Sequence, residues 1–223
     1  MWYNSYKNAQ DAFENIYDAI IENGSEYIGT KSVFDIGFII EHPEDNEINT
    51  KWRKWNKAYA DYEWSWYLSG NRSVKELEKR AKIWSTMYNP NDADKNVNSN
   101  YGYQWKRNQQ LDKVIKKLEE DPYTRQAVIS IYDGKEMDEY EYDTPCTNSI
   151  TFYSNPDNPE KLNMSVNMRS NDLVFGFCND QYFFSKLQTL VADRLGLDVG
   201  YYYHHAVNLH VYSRHYKLKE KNS

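Results

Sequence analysis

The chain has 223 residues, with 27 basic and 33 acidic side chains, which gives a formal net charge of −6 at pH 7. Apolar residues make up 40% of the chain and aromatic residues 16%, which is typical of a globular protein and excludes a disordered one. The acidic balance argues against broad, sequence-independent binding to nucleic acid or acidic lipid, because both need a basic face. Since we find no internal repeat and no low-complexity linker, we expect one domain over residues 1–223.

No targeting or metal-binding signal is found in the sequence. No apolar run approaches the ~20 residues needed to cross a bilayer, and residues 1–5 have neither the basic start nor the apolar stretch of a secretory signal. We therefore expect a cytoplasmic protein without membrane or nucleic-acid partners. The two cysteines, Cys146 and Cys178, are expected to be free thiols, and no group of residues has zinc spacing, so no metal is predicted.

Apolar spacing predicts helices and strands that are interleaved along the chain. Helices are predicted over residues 12–21, 51–68, 73–84, 111–118 and 182–195. Strands are predicted over residues 33–40, 127–132, 149–153, 162–168 and 207–212. A polar loop of 16 residues is expected over residues 85–100. This order indicates an α/β (α+β) domain with a cleft over the sheet.

Two side chains stand out as candidate reactive groups. Cys146 is predicted to lie between a loop and a strand; a lone cysteine is more often a small buried apolar residue, but a thiolate favoured by nearby arginines is a nucleophile. Glu63 lies among aromatic residues, where a carboxylate is costly to bury unless it is paired or functional. The alternative is that Glu63 lies on the one wet stripe of its helix.

Other polar residues at strand ends are candidate ligand-binding groups. Arg169 and Ser170 directly follow a predicted strand, where an arginine and a hydroxyl can bind a phosphate, although a surface salt bridge is more common for an isolated arginine. The same two interpretations apply to Arg125. His210 and Tyr212 share one face of the last predicted strand, where they can bind a sugar hydroxyl or act as hydrogen bonders in the core.

Three segments together carry a family resemblance. They are residues 143–146 (DTPC), 167–180 (NMRSNDLVFGFCND) and 209–215 (LHVYSRH). In this order and spacing the sequence resembles the thymidylate synthase superfamily, and within it the deoxycytidylate (dCMP) hydroxymethylase type of T-even phages. The resemblance is strong over residues 99–216 and weaker before them.

The resemblance implies a mixed sheet packed with helices and a reaction on a pyrimidine deoxynucleotide monophosphate. Cys146 would add as a thiolate to C6 of the pyrimidine, so that C5 can attack the one-carbon unit of 5,10-methylenetetrahydrofolate. Glu63 matches the glutamate that orders water and moves protons around C4 and C5, and Tyr101 matches a tyrosine of the same water network. A synthase then reduces the exocyclic methylene with hydride, whereas a hydroxymethylase adds water to it.

The same resemblance implies the binding residues. Arg169 and Ser170 match the phosphate-binding pair, and His210 and Tyr212 match the pair that binds the sugar 3′-hydroxyl. Arg125 matches an arginine that reaches the partner's phosphate, which implies a homodimer with shared sites. The positions that match the folate site are Trp84, Asp172, Phe175 and Gly176. Core packing is an equal alternative for the two aromatic residues among them.

One position decides the base. Uracil presents N3–H and O4, which an amide complements, whereas a carboxylate accepts from both the C4 amino group and a protonated N3 of cytosine. The family pattern places the base-reading residue four positions after Gly176, at Asp180, which predicts dCMP as the substrate. A register shifted by one residue would place Asn179 at the base and restore uracil.

The sequence also departs from the family pattern. Gln126 stands where a second arginine is usual and Tyr27 where a basic residue is usual, so phosphate affinity is weaker or another cation, such as Lys31 or Arg53, substitutes. Because the sequence ends soon after the His215 motif, we also expect no carboxy-terminal tail over the folate, which admits water and favours hydroxymethyl transfer.

We therefore predict hydroxymethyl transfer to C5 of dCMP, in the host cytoplasm if the protein is phage-encoded, in the service of DNA-base modification. An alternative in the same fold is thymidylate synthesis or C5-methylation of dCMP or dUMP. An alternative of another class is a non-catalytic virion or RNA-binding relative, against which the retained Cys146 and Glu63 count.

Overall fold

The structure is a computed structural model that describes residues 4–222. Residues 1–3, most of the segment considered for a secretory signal, and residue 223 lie outside the described residues. Within residues 4–222, the strands are β1 (Asn4–Tyr6), β2 (Ser25–Tyr27), β3 (Thr30–Ile40), β4 (Val128–Ser130), β5 (Thr147–Asn155), β6 (Asn158–Met168), β7 (Asn171–Asp172) and β8 (Asp198–Tyr212). The α-helices in the same range are α1 (Ala9–Asn23), α2 (Lys57–Ser69), α3 (Tyr101–Lys106), α4 (Gln110–Glu120), α5 (Cys178–Leu195) and α6 (Leu218–Asn222).

All eight strands belong to one mixed sheet packed with helices, which confirms the predicted α/β class. The order of the main strands is β1-β3-β8-β6-β5-β4, with β2 on β3 and β7 on β8. β6 and β7 both run parallel to β8, while β3 and β5 pair antiparallel to their neighbours β8 and β6. Because parallel strands end at the same edge of a sheet, the residues after β6 come out beside the second half of β8.

Most of the strongly periodic elements are confirmed. α1, α4 and α5 contain the predicted helices, and α5 ends at Gly196, whose φ of 66° is left-handed and suits a glycine after a helix. The prediction over residues 51–68 is wrong in its first part, since α2 begins only at Lys57. Its start is fixed by Asn56, whose side-chain oxygen accepts a hydrogen bond from Tyr59 N at 3.0 Å.

The predicted helix over residues 73–84 is wrong. This segment is a series of turns that ends in a short 3-10 helix. Its backbone pairs with the loop that follows it, through an isolated bridge between Ser73 and Asn96. Val74 and Leu77 are buried in the core, but a spacing of three residues is satisfied by a single buried turn as well as by a helix.

The two predicted faces of the last strand hold only in part. Leu209 and Val211 are buried as predicted, but Val207 is 42% exposed. The buried positions of β8 are even-numbered up to Ala206, whereas Leu209, His210 and Val211 are all buried. The change lies opposite Asp35 of β3, whose φ of 51° falls in the left-handed region. β3 and β8 therefore share a kink at this point.

No described helix is long and apolar enough to cross a membrane. Over residues 4–222, no three His, Cys, Asp or Glu side chains are grouped so as to hold a metal ion.

α2 and α3 cross in close contact at Gly102. A Cβ atom at Gly102 would lie 1.6 Å from the backbone oxygen of Tyr67 in α2, so only glycine allows this approach. The Tyr67 ring stacks on the ring of Tyr101, with centroids 5.5 Å apart and planes 8° apart. This crossing sets the distance between Glu63, which α2 carries, and the start of α3.

Gly102→Ala should destabilise the protein by about 3 kcal/mol, near the top of the usual range for overpacking, because the obstructing atom belongs to the backbone. Urea denaturation measures this difference. Gly134→Ala is the control, since a Cβ there meets nothing within 4 Å. Equal stability of the two variants would show that the helices separate freely.

Candidate active site

Arg169 holds the loop that carries Cys146. Cys146 is half-buried at the start of β5, and Arg169 directly follows β6. The Arg169 backbone N–H donates to the Cys146 carbonyl at 2.8 Å, and its guanidinium donates to the carbonyls of Pro145 at 3.0 Å and Thr144 at 2.8 Å. Its Nη2 also lies 3.7 Å from Cys146 Sγ. The structure thus brings the predicted nucleophile and the predicted phosphate-binding arginine together, with Ser170 half-buried next in the chain.

Burial controls the ionisation of the Cys146 thiol. It raises the pKa of Cys146 to about 11, and the negative charges of Asp180 and Asp143 act in the same direction. The positive charge of Arg169 lowers the pKa, as expected of a nearby arginine, but burial outweighs it. The thiol therefore keeps its proton at neutral pH in the free protein.

Glu63 is buried, with 5% of its surface exposed, so the interpretation that it lies on a wet stripe is wrong. Its Oε2 accepts a hydrogen bond from Asn179 Nδ2 at 3.2 Å, and its Oε1 accepts one from the Tyr67 hydroxyl at 3.4 Å. Burial raises the pKa of Glu63 to about 8, and the negative charge of Asp180 adds to this effect. A carboxyl with a pKa near the working pH is suited to transfer protons.

Tyr101 is the first residue of α3, and Asn100 caps this helix by accepting a hydrogen bond from Tyr103 N at 2.7 Å. Its ring is stacked between Tyr67 and Phe184, each with its centroid 5.5 Å away. Burial raises the pKa of Tyr101 well above its usual range, and negative charge on Asp180 or Cys146 raises it further. Its hydroxyl therefore stays neutral. Since charges on Asp180 and Cys146 act on it, the Tyr101 hydroxyl lies on the same side of the site as the thiol.

Asn179 and Asp180 are adjacent in the first turn of α5 but contact different partners. Both groups of the Asn179 amide are occupied, since Oδ1 accepts from Trp55 Nε1 at 2.8 Å and Nδ2 donates to Glu63. Asp180 Oδ2 accepts from Asn171 Nδ2 at 2.7 Å, whereas no described residue donates a hydrogen bond to its Oδ1. Burial raises the pKa of Asp180 to about 7.

His210 and Tyr212 lie at the end of β8 with their rings in edge-to-face contact, 5.1 Å between centroids. His210 Nδ1 is 2.9 Å from Asn208 Oδ1. Burial lowers the pKa of His210, while the nearby Asp172 carboxylate opposes this. Tyr212 is partly exposed, with the Arg214 guanidinium 4.5 Å from its ring. His210 is thus held in place while Tyr212 is open to solvent.

The predicted folate residues fall into two environments. Trp84 is buried, and its indole N–H donates to the Tyr59 hydroxyl at 2.8 Å, so it packs as a core residue. Phe175 is 50% exposed, with the Arg53 guanidinium 4.9 Å from its ring. Core packing therefore describes Trp84 but not Phe175.

Asp172 and Gly176 shape the turn that leads into α5. Asp172 accepts a hydrogen bond from Val174 N at 2.9 Å. Gly176 leaves room for two neighbouring polar groups, because a Cβ there would lie 2.9 Å from Asn171 Nδ2 and 3.3 Å from Asp180 Oδ2. Both residues thus control how α5 begins.

Arg125 is not near Cys146 within one chain. It lies just before β4, is exposed, and makes no hydrogen bond or ion pair among residues 4–222. The adjacent Pro122 carbonyl accepts from Ser154 N, at the far end of β5 from Thr147. Those two β5 residues are separated by about 23 Å of extended strand. Arg125 is therefore too far from Cys146 to act on a ligand bound beside that thiol in the same chain.

The positions that depart from the family pattern also have defined surroundings. Gln126 accepts a hydrogen bond from Lys117 Nζ at 2.7 Å, and Tyr27 is exposed in the β2–β3 hairpin. Of the two substitute cations, Lys31 Nζ donates to the carbonyl of Ile21. Arg53 Nε donates to the Val174 carbonyl, and its guanidinium lies over the exposed ring of Phe175.

Sequence reasoning missed the residues that orient the reactive groups. Asp143 is buried, and its Oδ2 accepts from the backbone N–H groups of Asn98 at 2.7 Å and Ser99 at 2.6 Å, which ties the thiol loop to the segment before α3. Asn171 binds Asp180 in a similar way. Asp143 and Asn171 lie inside the segments that carry the family resemblance, but the spacing of residues in those segments does not predict these contacts.

The unfolding free energy should fall between pH 7 and pH 8, above the range in which the buried His204 and His215, whose pKa values burial lowers to about 3 and about 4, add stability as the pH rises. The folded protein keeps the protons of Glu63 and Asp180, with pKa values of about 8 and about 7, to a higher pH than the unfolded chain, whose carboxyls lose them near pH 4. Glu63→Gln cannot ionise, so its melting temperature should fall less over this interval, as thermal unfolding would show. The exposed Glu22→Gln is the control and should keep the wild-type slope. Parallel slopes for all three proteins would contradict the assignment.

Comparison with known proteins agrees with the resemblance seen in the sequence. The family model of thymidylate synthase matches residues 11–222. The deoxycytidylate 5-hydroxymethyltransferase of Enterobacteria phage T4 is 34% identical over 181 residues, which cover 73% of this chain and 70% of that protein. Thymidylate synthase 1 of Bacillus spizizenii is 28% identical over 196 residues, covering 83% of this chain and 67% of that protein. The chain therefore belongs to the thymidylate synthase family, whose members use methylenetetrahydrofolate to transfer a one-carbon unit to pyrimidine deoxynucleotide monophosphates.

Proposed function

We propose that this protein is a deoxycytidylate 5-hydroxymethyltransferase, which moves a one-carbon unit from 5,10-methylenetetrahydrofolate to C5 of dCMP and adds water to it. The observation that carries the choice of base is the contrast between Asp180 and Asn179. Asp180 Oδ1 has no donor among the described residues, whereas both groups of the Asn179 amide are taken by Trp55 and Glu63. The carboxylate has two oxygens that can accept from the C4 amino group and the protonated N3 of cytosine, whereas the amide has one oxygen, which already accepts from Trp55.

The proposed reaction begins with a bond between Cys146 Sγ and C6 of dCMP. The thiol gives its proton to solvent water as the substrate binds, and Arg169 Nη2, 3.7 Å away, stabilises the thiolate. The electron-rich C5 then bonds to the methylene carbon of the folate. Loss of the C5 proton and of tetrahydrofolate leaves an exocyclic methylene. Water adds to this methylene as the C6–S bond breaks, which releases 5-hydroxymethyl-dCMP and restores the thiol.

Glu63 and Tyr101 support the proton transfers. Glu63 is partly protonated near neutral pH because burial raises its pKa to about 8, so it can both give and take a proton at C4 and C5. The neutral Tyr101 hydroxyl orders water beside it. Arg169 and Ser170 bind the phosphate, and the ring pair at the end of β8 binds the sugar hydroxyl.

The proposal includes a homodimer in the host cytoplasm of a phage-encoded protein, with one domain over the whole chain. Arg125 is exposed and lies at the far end of β5 from Cys146, which supports a role in the partner's phosphate site. The turn with the exposed Phe175 contributes to the folate site together with Asp172 and Gly176. Trp84 belongs to the same proposed site as a buried residue, and its indole N–H donates to the Tyr59 hydroxyl.

A second candidate is a C5-methyltransferase of the same fold, acting on dUMP or dCMP. The similarity to proteins named thymidylate synthase, at 28% identity over 83% of the chain, favours it. Product mass after incubation of dCMP, dUMP or CMP with methylenetetrahydrofolate separates the two, since a hydroxymethyl product contains one oxygen more than a methyl product. A non-catalytic virion or RNA-binding relative would release no tritium from C5.

Asp180→Asn should shift the preference from dCMP towards dUMP by at least about 100-fold, because the amide supplies the donor that uracil O4 needs and loses one acceptor for cytosine. Competition between the two nucleotides in a C5-tritium release assay measures the ratio. Asn179→Asp is the comparison and should leave the preference unchanged. If only the substitution at Asn179 alters the ratio, the base-reading residue has been placed one position too far along the chain.

Cys146→Ser should abolish C5-tritium release while the protein still folds, because a serine hydroxyl is a far weaker nucleophile at neutral pH than a thiolate. Circular dichroism checks the fold. Cys178→Ser is the matched control: Cys178 is buried and its thiol contacts the carbonyl of Leu173, so tritium release should persist. Release by the Cys146 variant would rule out this nucleophile.

A further inference from the structure

Asn171 is the donor that holds the Asp180 carboxyl, and nothing in the proposed reaction yet uses it. It lies in β7, 3% exposed, and its Nδ2 is 2.7 Å from Asp180 Oδ2. Its own Oδ1 is buried without a hydrogen-bond partner among residues 4–222. A buried amide with one unsatisfied oxygen carries a free-energy cost, so its bond to Asp180 is the contact that accounts for an asparagine here.

We propose that Asn171 is a positioning residue that fixes the plane of the Asp180 carboxyl and thereby sets the preference for cytosine over uracil. The inference rests on the proposed function, in which Asp180 reads the base. To accept two hydrogen bonds from one base edge, both carboxyl oxygens must lie in the plane of the base. A carboxyl otherwise rotates freely about its last bond, since this torsion is broad.

The geometry leaves the base-reading side of Asp180 available. A carboxylate offers about four acceptor positions on its two oxygens, so Oδ2 can hold Asn171 on one side and a donor of the base on the other. Oδ1 has no protein donor in the described part of the chain. Asn171 thus orients the group without using up its capacity for the base.

Gly176 provides the space for this pair. A Cβ on Gly176 would approach Asn171 Nδ2 to 2.9 Å and Asp180 Oδ2 to 3.3 Å, which is closer than side chains tolerate without moving. The backbone of Asn171 is also limited in its movement, because it pairs with Leu209 of β8. The hydrogen bond between Asn171 and Asp180 therefore links the two ends of the turn that leads into α5.

The hydrogen bond from Asn171 also has an electrostatic effect, which favours the ionised form of Asp180 that accepts from cytosine. Burial raises the pKa of Asp180, the charge of Asp172 raises it further, and the Asn171 donor lowers it. A donor on the carboxylate favours its charged, twice-accepting form.

The test measures the ratio of kcat/KM for dCMP to that for dUMP by C5-tritium release, together with the Kd of each nucleotide by calorimetry. Asn171→Ala should lower the dCMP preference about 10-fold or more, the usual effect of losing a hydrogen bond to a charged group. In an Asp180→Ala background the same substitution should not change the ratio. A role limited to folding would change both nucleotides alike in either background.

Two further variants complete the design. Asn163→Ala removes another 3% exposed asparagine, which lies in the middle of β6 and whose Oδ1 accepts from Tyr201 N at 3.1 Å, and it should keep the wild-type ratio. Gly176→Ala should lower the dCMP preference by displacing the pair, and it answers the question if Asn171→Ala does not fold. If the wild-type protein acts on dCMP and the ratio is unchanged in the Asn171 or Gly176 variant, the role of Asn171 is overturned while the proposed function stands. A wild-type protein that acts only on dUMP overturns the proposed function instead.

Discussion

Ionisable groups buried side by side govern this site. Burial raises the pKa of Cys146 to about 11, of Glu63 to about 8 and of Asp180 to about 7, and the charge of Asp180 makes ionisation of the other two still harder. In the free protein, burial therefore favours the protonated forms of these three groups at neutral pH. The Arg169 guanidinium beside the thiol acts in the opposite direction, because its charge lowers the pKa of Cys146. In the proposed reaction, a nucleotide that donates hydrogen bonds to these groups would change this balance and so couple its own binding to ionisation of the thiol.

Three parts of the fold keep these groups in contact. The parallel strands β6 and β8 bring two groups to the same edge of the sheet. One is Arg169 with the Cys146 loop that it holds, and the other is the ring pair of His210 and Tyr212. The close crossing at Gly102 holds Glu63 of α2 against the start of α3. The turn from Asn171 into α5 sets the direction of Asp180. Each part is rigid for a different reason: backbone pairing, helix contact without a side chain, and a single buried hydrogen bond.

Much of this architecture could be predicted from the sequence where periodicity was strong, as in α4 and α5. The turns over residues 73–84 could not, because two apolar residues three apart fit a turn as well as a helix. In the site, motif order predicted which groups are reactive, but it left Asn179 and Asp180 as alternatives for the base. Neighbours on a helix point about 100° apart, so only their contacts in three dimensions distinguish them. Asn171 was missed because a 2.7 Å contact between residues nine apart across a turn has no signature in spacing.

The shared kink of β3 and β8 has a consequence for how this protein can vary. Upstream of the kink the even-numbered residues of β8 are buried, and downstream Leu209, His210 and Val211 are all buried. A deletion or insertion of one residue upstream of the kink would turn the buried set of that half outwards while leaving the other half in place. Substitutions of similar size are tolerated far better in such a strand. Homologous sequences should therefore differ freely in composition here while keeping the number of residues constant.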